Sequence, residues 1–78
     1  VLARELSVYN IRVNAVAPGF IDTDIQSGID RQLADNIINN LSIRRLGTPE
    51  EVAKVILFLA SDQASYVNGQ VIRIDGGM

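Results

Sequence analysis

The sequence predicts an α/β fold in which helices join two parallel strands, as in the carboxy-terminal βαβ part of a doubly wound sheet. Three patterns indicate this fold. Residues 11–16 alternate and then become wholly apolar, as a strand entering a buried sheet does. A helix with a complete start signal is predicted from Pro49. A second strand, 70–75, is closed by Gly76-Gly77. Strands in this order are almost always parallel and joined by a right-handed connection.

The first residues read as the interior of a helix. The segment 1–8 has no Ser, Thr, Asp or Asn cap ahead of its first apolar residues, and Asn10 suits the left-handed conformation that ends a helix. Parallel sheets need both faces covered, which two strands and their helices do not achieve alone. We therefore expect residues 1–78 to be a piece of one larger domain.

The first predicted strand ends at Pro18-Gly19, because proline has no N–H for a ladder and glycine admits positive φ. The pattern then weakens as far as Leu46, and Asp22, Thr23 and Asp24 are placed to cap a short helix. A second helix is predicted over 30–41. Its apolar residues have the spacing of one helical face: Leu33, Ile37, Ile38 and Leu41.

The clearest local signal is the segment 48–51. It places a threonine N-cap before Pro49 and a glutamate three residues after the cap, which is a capping box. The helix 49–60 is more apolar than one sheet contact requires. We therefore expect the sheet to cover one of its faces and another helix or subunit to cover a second. The predicted subunit contacts are Val52, Ile56 and Leu59.

Composition excludes several classes of function. The chain has no cysteine and no histidine, so disulfides, thiolate ligands and a serine-histidine hydrolase are excluded, and no metal site is expected. Seven basic and nine acidic residues give a net charge of −2, with no basic patch for nucleic acid. The longest apolar run, 55–60, is too short to cross a bilayer. A cytoplasmic setting without a membrane partner is expected.

Doubly wound sheets bind ligands outside the carboxyl ends of their strands, so the bend after the first strand is the candidate site. Its polar groups are exposed backbone, the Thr23 hydroxyl and the carboxylates of Asp22 and Asp24. A purely structural explanation also fits, with Pro18-Gly19 as a turn and Thr23 as a helix cap. Composition alone favours that structural explanation.

The segment 11–24, IRVNAVAPGFIDTD, resembles the RVNxxxPGxxxT stretch of the short-chain dehydrogenase/reductase family. Further matches follow in the family's order at 45–53, 58–62, 69–70 and 74–77. The nearest resemblance is to the 3-oxoacyl-acyl-carrier-protein reductase branch. The resemblance implies a Rossmann-like fold, of which residues 1–78 are the carboxy-terminal part with the last two strands and their helices. It also implies an oxidoreductase that moves hydride between NADP or NAD and a ketone or secondary alcohol.

The resemblance also assigns cofactor-binding roles within the bend. It implies that Pro18 and Gly19 turn the chain past the nicotinamide and that the Ile21 backbone meets the carboxamide. Thr23 would hydrogen-bond near the carboxamide or the pyrophosphate. Such contacts position a ring whose chemistry belongs to the cofactor.

The catalytic Asn, Ser, Tyr and Lys of the family, and its glycine-rich loop, precede the part that this chain matches. No catalytic residue is therefore assigned within 1–78. Tyr9 and Tyr66 have no lysine four residues later, as the family's tyrosine does, and Lys54 is interpreted as a solvated side chain. Asn14 is expected to satisfy backbone groups at a strand end, and 75–77 to form a turn.

The resemblance implies that 24–46 is a substrate lid. Four of its apolar residues either line an acyl pocket or only pack the lid onto the body: Ile25, Ile29, Leu33 and Ile37. Where acyl-carrier-protein reductases often carry a basic residue, this chain has Tyr9-Asn10. The substrate is therefore either carrier-bound or a small molecule, and sugar, steroid and small-alcohol dehydrogenases remain alternatives.

The resemblance implies a homotetramer with contacts through the helix 49–60 and the strand 70–75. These contacts also suggest a second hypothesis, in which the segment acts mainly as an assembly module and not as part of a cofactor site.

Overall fold

A computed structural model of the chain describes residues 1–23 and 31–78. Its helices and strands are, in chain order, α1 (Leu2–Leu6), β1 (Ala15–Pro18), α2 (Arg31–Asn39), α3 (Pro49–Ala60) and β2 (Val71–Ile74), with short 3-10 turns at Ser7–Tyr9 and Asp62–Ala64. The two strands are parallel, with Ala15 opposite Val71 and Pro18 opposite Ile74. This arrangement confirms the predicted βαβ order and the α/β fold class.

The first strand begins at Ala15, later than the predicted start at residue 11. Before it, the chain lies opposite the Asn68-Gly69 bend. The Val13 N–H donates to Asn68 Oδ1 at 2.9 Å, and the Val13 carbonyl accepts from the Gly69 N–H at 2.8 Å. The side chain of Asn68 thus takes the place of a backbone partner from a neighbouring strand. Hydrophobic alternation is the same for a segment paired in either way, so the sequence predicts too early a start for β1.

The strand ends at Pro18, as predicted, and the register shows why a proline is tolerated there. The Ala15 N–H donates to the Gln70 carbonyl at 2.8 Å, and the Gly19 N–H donates to the Ile74 carbonyl at 2.9 Å. Odd-numbered residues of β1 therefore direct their N–H groups toward β2. Pro18 occupies a position whose N–H would point away, so the ladder loses no bond.

The helix ends follow their capping signals. Asn10 adopts the left-handed conformation, with φ of 61°, after the turn that extends α1. The Thr48 hydroxyl accepts from the Glu51 N–H at 3.2 Å, and the Glu51 carboxylate accepts from the Thr48 N–H at 2.9 Å. Pro49 is the first residue of α3, and Ser61 caps the short turn that follows the helix. The predicted capping box is confirmed.

Helix α2 lies within the predicted range 30–41, and its apolar face is only partly covered. Ile37 is half-buried, but Leu33 is 53% exposed, and Leu41, which is buried, lies beyond the end of the helix. The short helix expected from Asp24, and the lid residues Ile25 and Ile29, lie outside the described residues.

The described residues bury little apolar surface. Their buried apolar side chains are Ala3, Ile21, Leu41 and Ala64. The apolar side chains of Ile56, Leu57 and Phe58 on α3 are exposed. The radius of gyration is 15.6 Å, whereas a compact domain of this length would have about 11.5 Å. The second cover expected for α3 is therefore not supplied by residues 1–23 and 31–78.

No helix in the described part of the chain is long and apolar enough to span a membrane.

Candidate functional site

The candidate site is the bend formed by residues 18–23. It leaves β1 at its carboxyl end, and the hydrogen bond from Gly19 to the Ile74 carbonyl places it beside the carboxyl end of β2. The bend therefore lies at the edge of the sheet where doubly wound folds bind ligands. Four predicted residues fall along this one stretch: Pro18, Gly19, Ile21 and Thr23.

Gly19 packs closely against the end of β2. A Cβ atom at Gly19 would lie 2.7 Å from the Asp75 Cβ and 2.9 Å from the Asp75 Cα. Both distances are shorter than real contacts allow, and one of the atoms belongs to the backbone. The absence of a side chain at Gly19 therefore has a packing reason independent of any ligand, and it brings the bend against the end of β2.

Ile21 is buried, with 9% of its surface exposed, and forms an isolated parallel bridge with Gly47. The Gly47 N–H donates to the Phe20 carbonyl at 3.0 Å, and the Asp22 N–H donates to the Gly47 carbonyl at 2.8 Å. The bridge joins the two ends of the predicted lid. The sequence does not mark Gly47 as a site residue, because a glycine before a helix cap also fits a simple chain break.

Thr23 lies exposed at the outer end of the bend, outside any helix or strand. Among residues 1–23 and 31–78, no hydrogen bond engages its hydroxyl. The residues that Thr23 would cap, from Asp24 onward, lie outside this range.

The segment 41–47, which we call the return arm, carries the chain from α2 back to the sheet. It docks on the turn formed by residues 75–77, which we call the glycine turn. The Ile43 N–H donates to the Gly76 carbonyl at 2.8 Å, and the Ser42 hydroxyl donates to the Gly77 carbonyl at 3.0 Å. The turn is therefore a docking surface for the return arm, which the sequence did not reveal.

The glycine turn is ordered by its own carboxylate. Asp75 Oδ1 accepts from the Gly77 N–H at 3.0 Å, and Gly76 and Gly77 have φ of 64° and 82°. The bond from the Gly77 N–H, followed by one from Arg73, lowers the pKa of the Asp75 carboxyl. These contacts agree with the prediction that 75–77 is a turn.

An ion pair fixes the end of the return arm to the start of α3. The Arg45 guanidinium donates to both oxygens of the Glu51 carboxylate at 2.8 Å. That bond, together with the bond from the Thr48 N–H, lowers the pKa of Glu51 to about 2. Gly47 is therefore held between two anchored residues.

A cavity of about 320 Å³ lies between the bend, the return arm and the glycine turn. Its wall is mainly apolar, and its apolar members are Phe20, Ile21, Leu41, Ile43 and Ile74. Among residues 1–23 and 31–78 there is no cluster of potential metal ligands. The cavity wall also includes charged residues, which are Arg45, Glu51, Arg73 and Asp75.

The Arg-Val-Asn part of the resemblance has a structural role. Asn14 Nδ2 donates to the Val67 carbonyl at 3.0 Å, and Asn14 Oδ1 accepts from the Gln70 N–H at 3.0 Å. These contacts agree with the prediction that Asn14 satisfies backbone groups. Arg12 donates to the carbonyls of Leu59 at 2.8 Å and Ser61 at 3.2 Å, which ties the end of α3 to the start of β1.

Comparison with known proteins agrees with this architecture. The sequence profile of the family described as Enoyl-(Acyl carrier protein) reductase matches residues 1–78. The 3-oxoacyl-[acyl-carrier-protein] reductase FabG of Thermotoga maritima is 55% identical over 76 residues, which is 97% of this chain and 31% of that protein.

Two solved structures have the same fold. A 3-oxoacyl-[acyl-carrier protein] reductase from Brucella melitensis superposes with a TM-score of 0.96 at 43% identity, over 99% of this chain and 29% of its own. A 4-hydroxyisoleucine dehydrogenase complexed with NADH superposes with a TM-score of 0.87 at 35% identity, over 97% of this chain and 32% of its own. The chain spans about 31% of the length of the curated relatives that it matches. Because the family profile covers every residue and the folds superpose, the chain belongs to the short-chain dehydrogenase/reductase family.

Proposed function

We propose that residues 1–78 are the carboxy-terminal part of a larger domain in an NADP- or NAD-dependent oxidoreductase. The reaction is hydride transfer between the nicotinamide and a ketone or secondary alcohol, and 3-oxoacyl reduction is the first candidate. The observation that carries the proposal is the position of the bend 18–23, at the carboxyl ends of two parallel strands. The name of the T. maritima relative supports the substrate class.

In this proposal the bend is one wall of the nicotinamide pocket. Pro18 and Gly19 turn the chain across the strand ends, the Ile21 backbone meets the carboxamide, and the Thr23 hydroxyl donates or accepts a hydrogen bond nearby. The bound nicotinamide supplies the hydride. The chain's own contribution is to hold one ring face toward the substrate, which lowers the entropic part of the barrier.

The proposal includes both NADP and NAD. The two differ at the adenosine ribose, which is recognised near the first strands of such sheets. The similar 4-hydroxyisoleucine dehydrogenase is complexed with NADH, which supports a nicotinamide dinucleotide as the cofactor. Proton donation in the proposal comes from a tyrosine outside this segment.

The substrate is an acyl-carrier-bound or small-molecule carbonyl compound. The similar fold of a 4-hydroxyisoleucine dehydrogenase supports keeping both, since a closely similar scaffold occurs in a protein with a different named substrate. The described part of the lid offers an exposed Leu33 and a half-buried Ile37 for either pocket lining or packing. A cytoplasmic setting is part of the same proposal.

The experiment is a steady-state assay of the full-length protein with NADPH or NADH and a 3-oxoacyl thioester. Thr23→Val should raise the KM for the dinucleotide about three- to tenfold, the value of one hydrogen bond. Ser65→Ala, which removes an exposed hydroxyl beyond α3, is the matched control. The proposal would be contradicted if the protein catalysed neither nicotinamide-dependent reduction of a ketone nor oxidation of the corresponding alcohol with 3-oxoacyl, sugar, steroid and small-alcohol substrates.

A second function, subunit assembly, is supported by apolar surface that the described chain leaves uncovered. Leu57 is 69% exposed, Ile56 and Phe58 on the same helix are also exposed, and so is Val71 on β2. We propose that these elements contribute to contacts in a homotetramer. Light scattering of the full-length protein tests it, and a stable monomer would contradict the assignment of Val52, Ile56 and Leu59 to an interface.

A further inference from the structure

We propose that Gly47 is a positioning residue for nicotinamide binding, because its parallel bridge to Ile21 holds the Ile21 peptide groups toward the cofactor. This inference rests on the proposed function and adds a residue that no sequence pattern marks as part of the site.

The bridge fixes both neighbours of Ile21. The Phe20 carbonyl accepts from the Gly47 N–H at 3.0 Å, and the Asp22 N–H donates to the Gly47 carbonyl at 2.8 Å. Two bonds from one glycine therefore restrain the peptide groups on each side of Ile21, across a sequence separation that includes the whole predicted lid.

The same bonds determine the direction of the Ile21 peptide groups. In an extended chain, the N–H and carbonyl of one residue point to the side opposite those of its neighbours. Since Phe20 and Asp22 direct their bonded groups at Gly47, the Ile21 N–H and carbonyl point away from it. Within residues 1–23 and 31–78, no hydrogen bond uses either group, although Ile21 is 9% exposed. The Ile21 N–H is a donor that suits the carbonyl of a carboxamide, and the Ile21 carbonyl is an acceptor that suits its amide N–H.

A side chain at position 47 would press on the side chain of Ile21. A Cβ atom on Gly47 would lie 2.9 Å from the Ile21 Cδ1, below any normal contact distance. Gly47 itself has little freedom to move away. Arg45 before it is paired with Glu51, and Thr48 after it is bonded to the same carboxylate. The Cδ1 methyl of Ile21 must therefore shift. Because Ile21 is buried, the shifted methyl has to repack against its neighbours, and we expect part of that strain to reach the Ile21 backbone.

The test compares two probes on the full-length protein. The first is the complete dinucleotide, NADPH or NADH, and the second is the matching ADP-ribose or its 2′-phosphate, which lacks the nicotinamide. Gly47→Ala should weaken the dinucleotide about three- to tenfold and leave the ADP-ribose within about twofold of wild type. A general folding defect would weaken both probes.

A rescue variant tests the steric cause. Ile21→Val removes the Cδ1 atom that the new Cβ would meet, so Ile21→Val in the Gly47→Ala background should recover most of the lost dinucleotide affinity. Equal weakening of both probes, no weakening by Gly47→Ala, or no recovery in the double variant would each overturn the inference. If the wild-type protein binds neither probe, the proposed function itself fails, and that result is distinguishable from the other three.

Discussion

Arg12 connects two elements that are distant in sequence. Its guanidinium donates to the carbonyls of Leu59 at 2.8 Å, Ser61 at 3.2 Å and Val67 at 3.3 Å. The last carbonyls of a helix have no partners within the helix, and a cation is also favoured near that end. The Arg12 side chain thus supplies hydrogen bonds to free carbonyls at the end of α3 and fixes that end to the chain entering β1. This connection helps to set the direction in which the bend leaves the sheet.

Replacement of Arg12 should be costly for this reason. We expect Arg12→Met to reduce the free energy of unfolding by about 2 kcal/mol, since hydrogen bonds from a charged donor to partly buried carbonyls are lost. Urea unfolding of the full-length protein measures the change. Lys54→Met, on the exposed side of α3, is the matched control and should change stability by less than about 0.5 kcal/mol. Equal effects of the two variants would show that the three contacts contribute nothing specific.

At the scale of elements, the start of α3 is stabilised by a charged group that also holds the return arm. Glu51 accepts hydrogen bonds from Arg45 and from the Thr48 N–H, and these bonds lower its pKa from 4.5 to about 2. A carboxyl whose folded pKa is depressed contributes stability that is fully present above its ordinary pKa. That contribution is lost as the pH falls from about 4.5 toward 2.

This electrostatic effect predicts a measurable titration. In carbon-13 spectra of the folded full-length protein, the Glu51 carboxyl should remain mostly ionised at about pH 3.5, where an ordinary glutamate is mostly protonated. Arg45→Gln removes the largest cause of the shift and should move the midpoint back toward 4.5. A midpoint near 4.5 in the unaltered protein would contradict the hydrogen-bonding arrangement described for the helix start.

The elements that the sequence predicts well are those with local chemical signals. The capping box at Thr48 and Glu51 and the left-handed Asn10 depend only on nearby residues, so the local sequence is enough to predict them. The local sequence does not predict the start of β1, because the Val13 N–H donates to the side chain of Asn68, which lies 55 residues away. The bridge between Ile21 and Gly47 is likewise a long-range contact that leaves no periodic signal.

The candidate site shows the same division. The position of Pro18 and Gly19 at a strand's carboxyl end follows from the predicted βαβ order, and the structure agrees with it. The roles of Pro18, Gly19, Ile21 and Thr23 toward a cofactor stay predictions. The docking of Ile43 on the glycine turn joins segments more than 30 residues apart, so no local pattern reveals it.

At the scale of the whole molecule, the segment 1–78 should be neither active nor cooperatively folded alone. Two strands and helices with exposed apolar faces do not enclose enough apolar surface to offset the entropy of ordering the chain. The purified segment should show no ketone-dependent oxidation of NADPH and no sharp thermal transition by circular dichroism. Appreciable turnover by the segment would contradict the assignment of all catalytic groups to other parts of the protein.

The most direct test of the central claim is a crystal structure of the full-length protein with bound NADPH or NADH. The proposed wall predicts that the Ile21 N–H or carbonyl lies about 3 Å from the nicotinamide carboxamide, with the Thr23 hydroxyl within hydrogen-bonding distance of the cofactor. A nicotinamide ring bound elsewhere, with the bend 18–23 in contact only with protein or water, would contradict it.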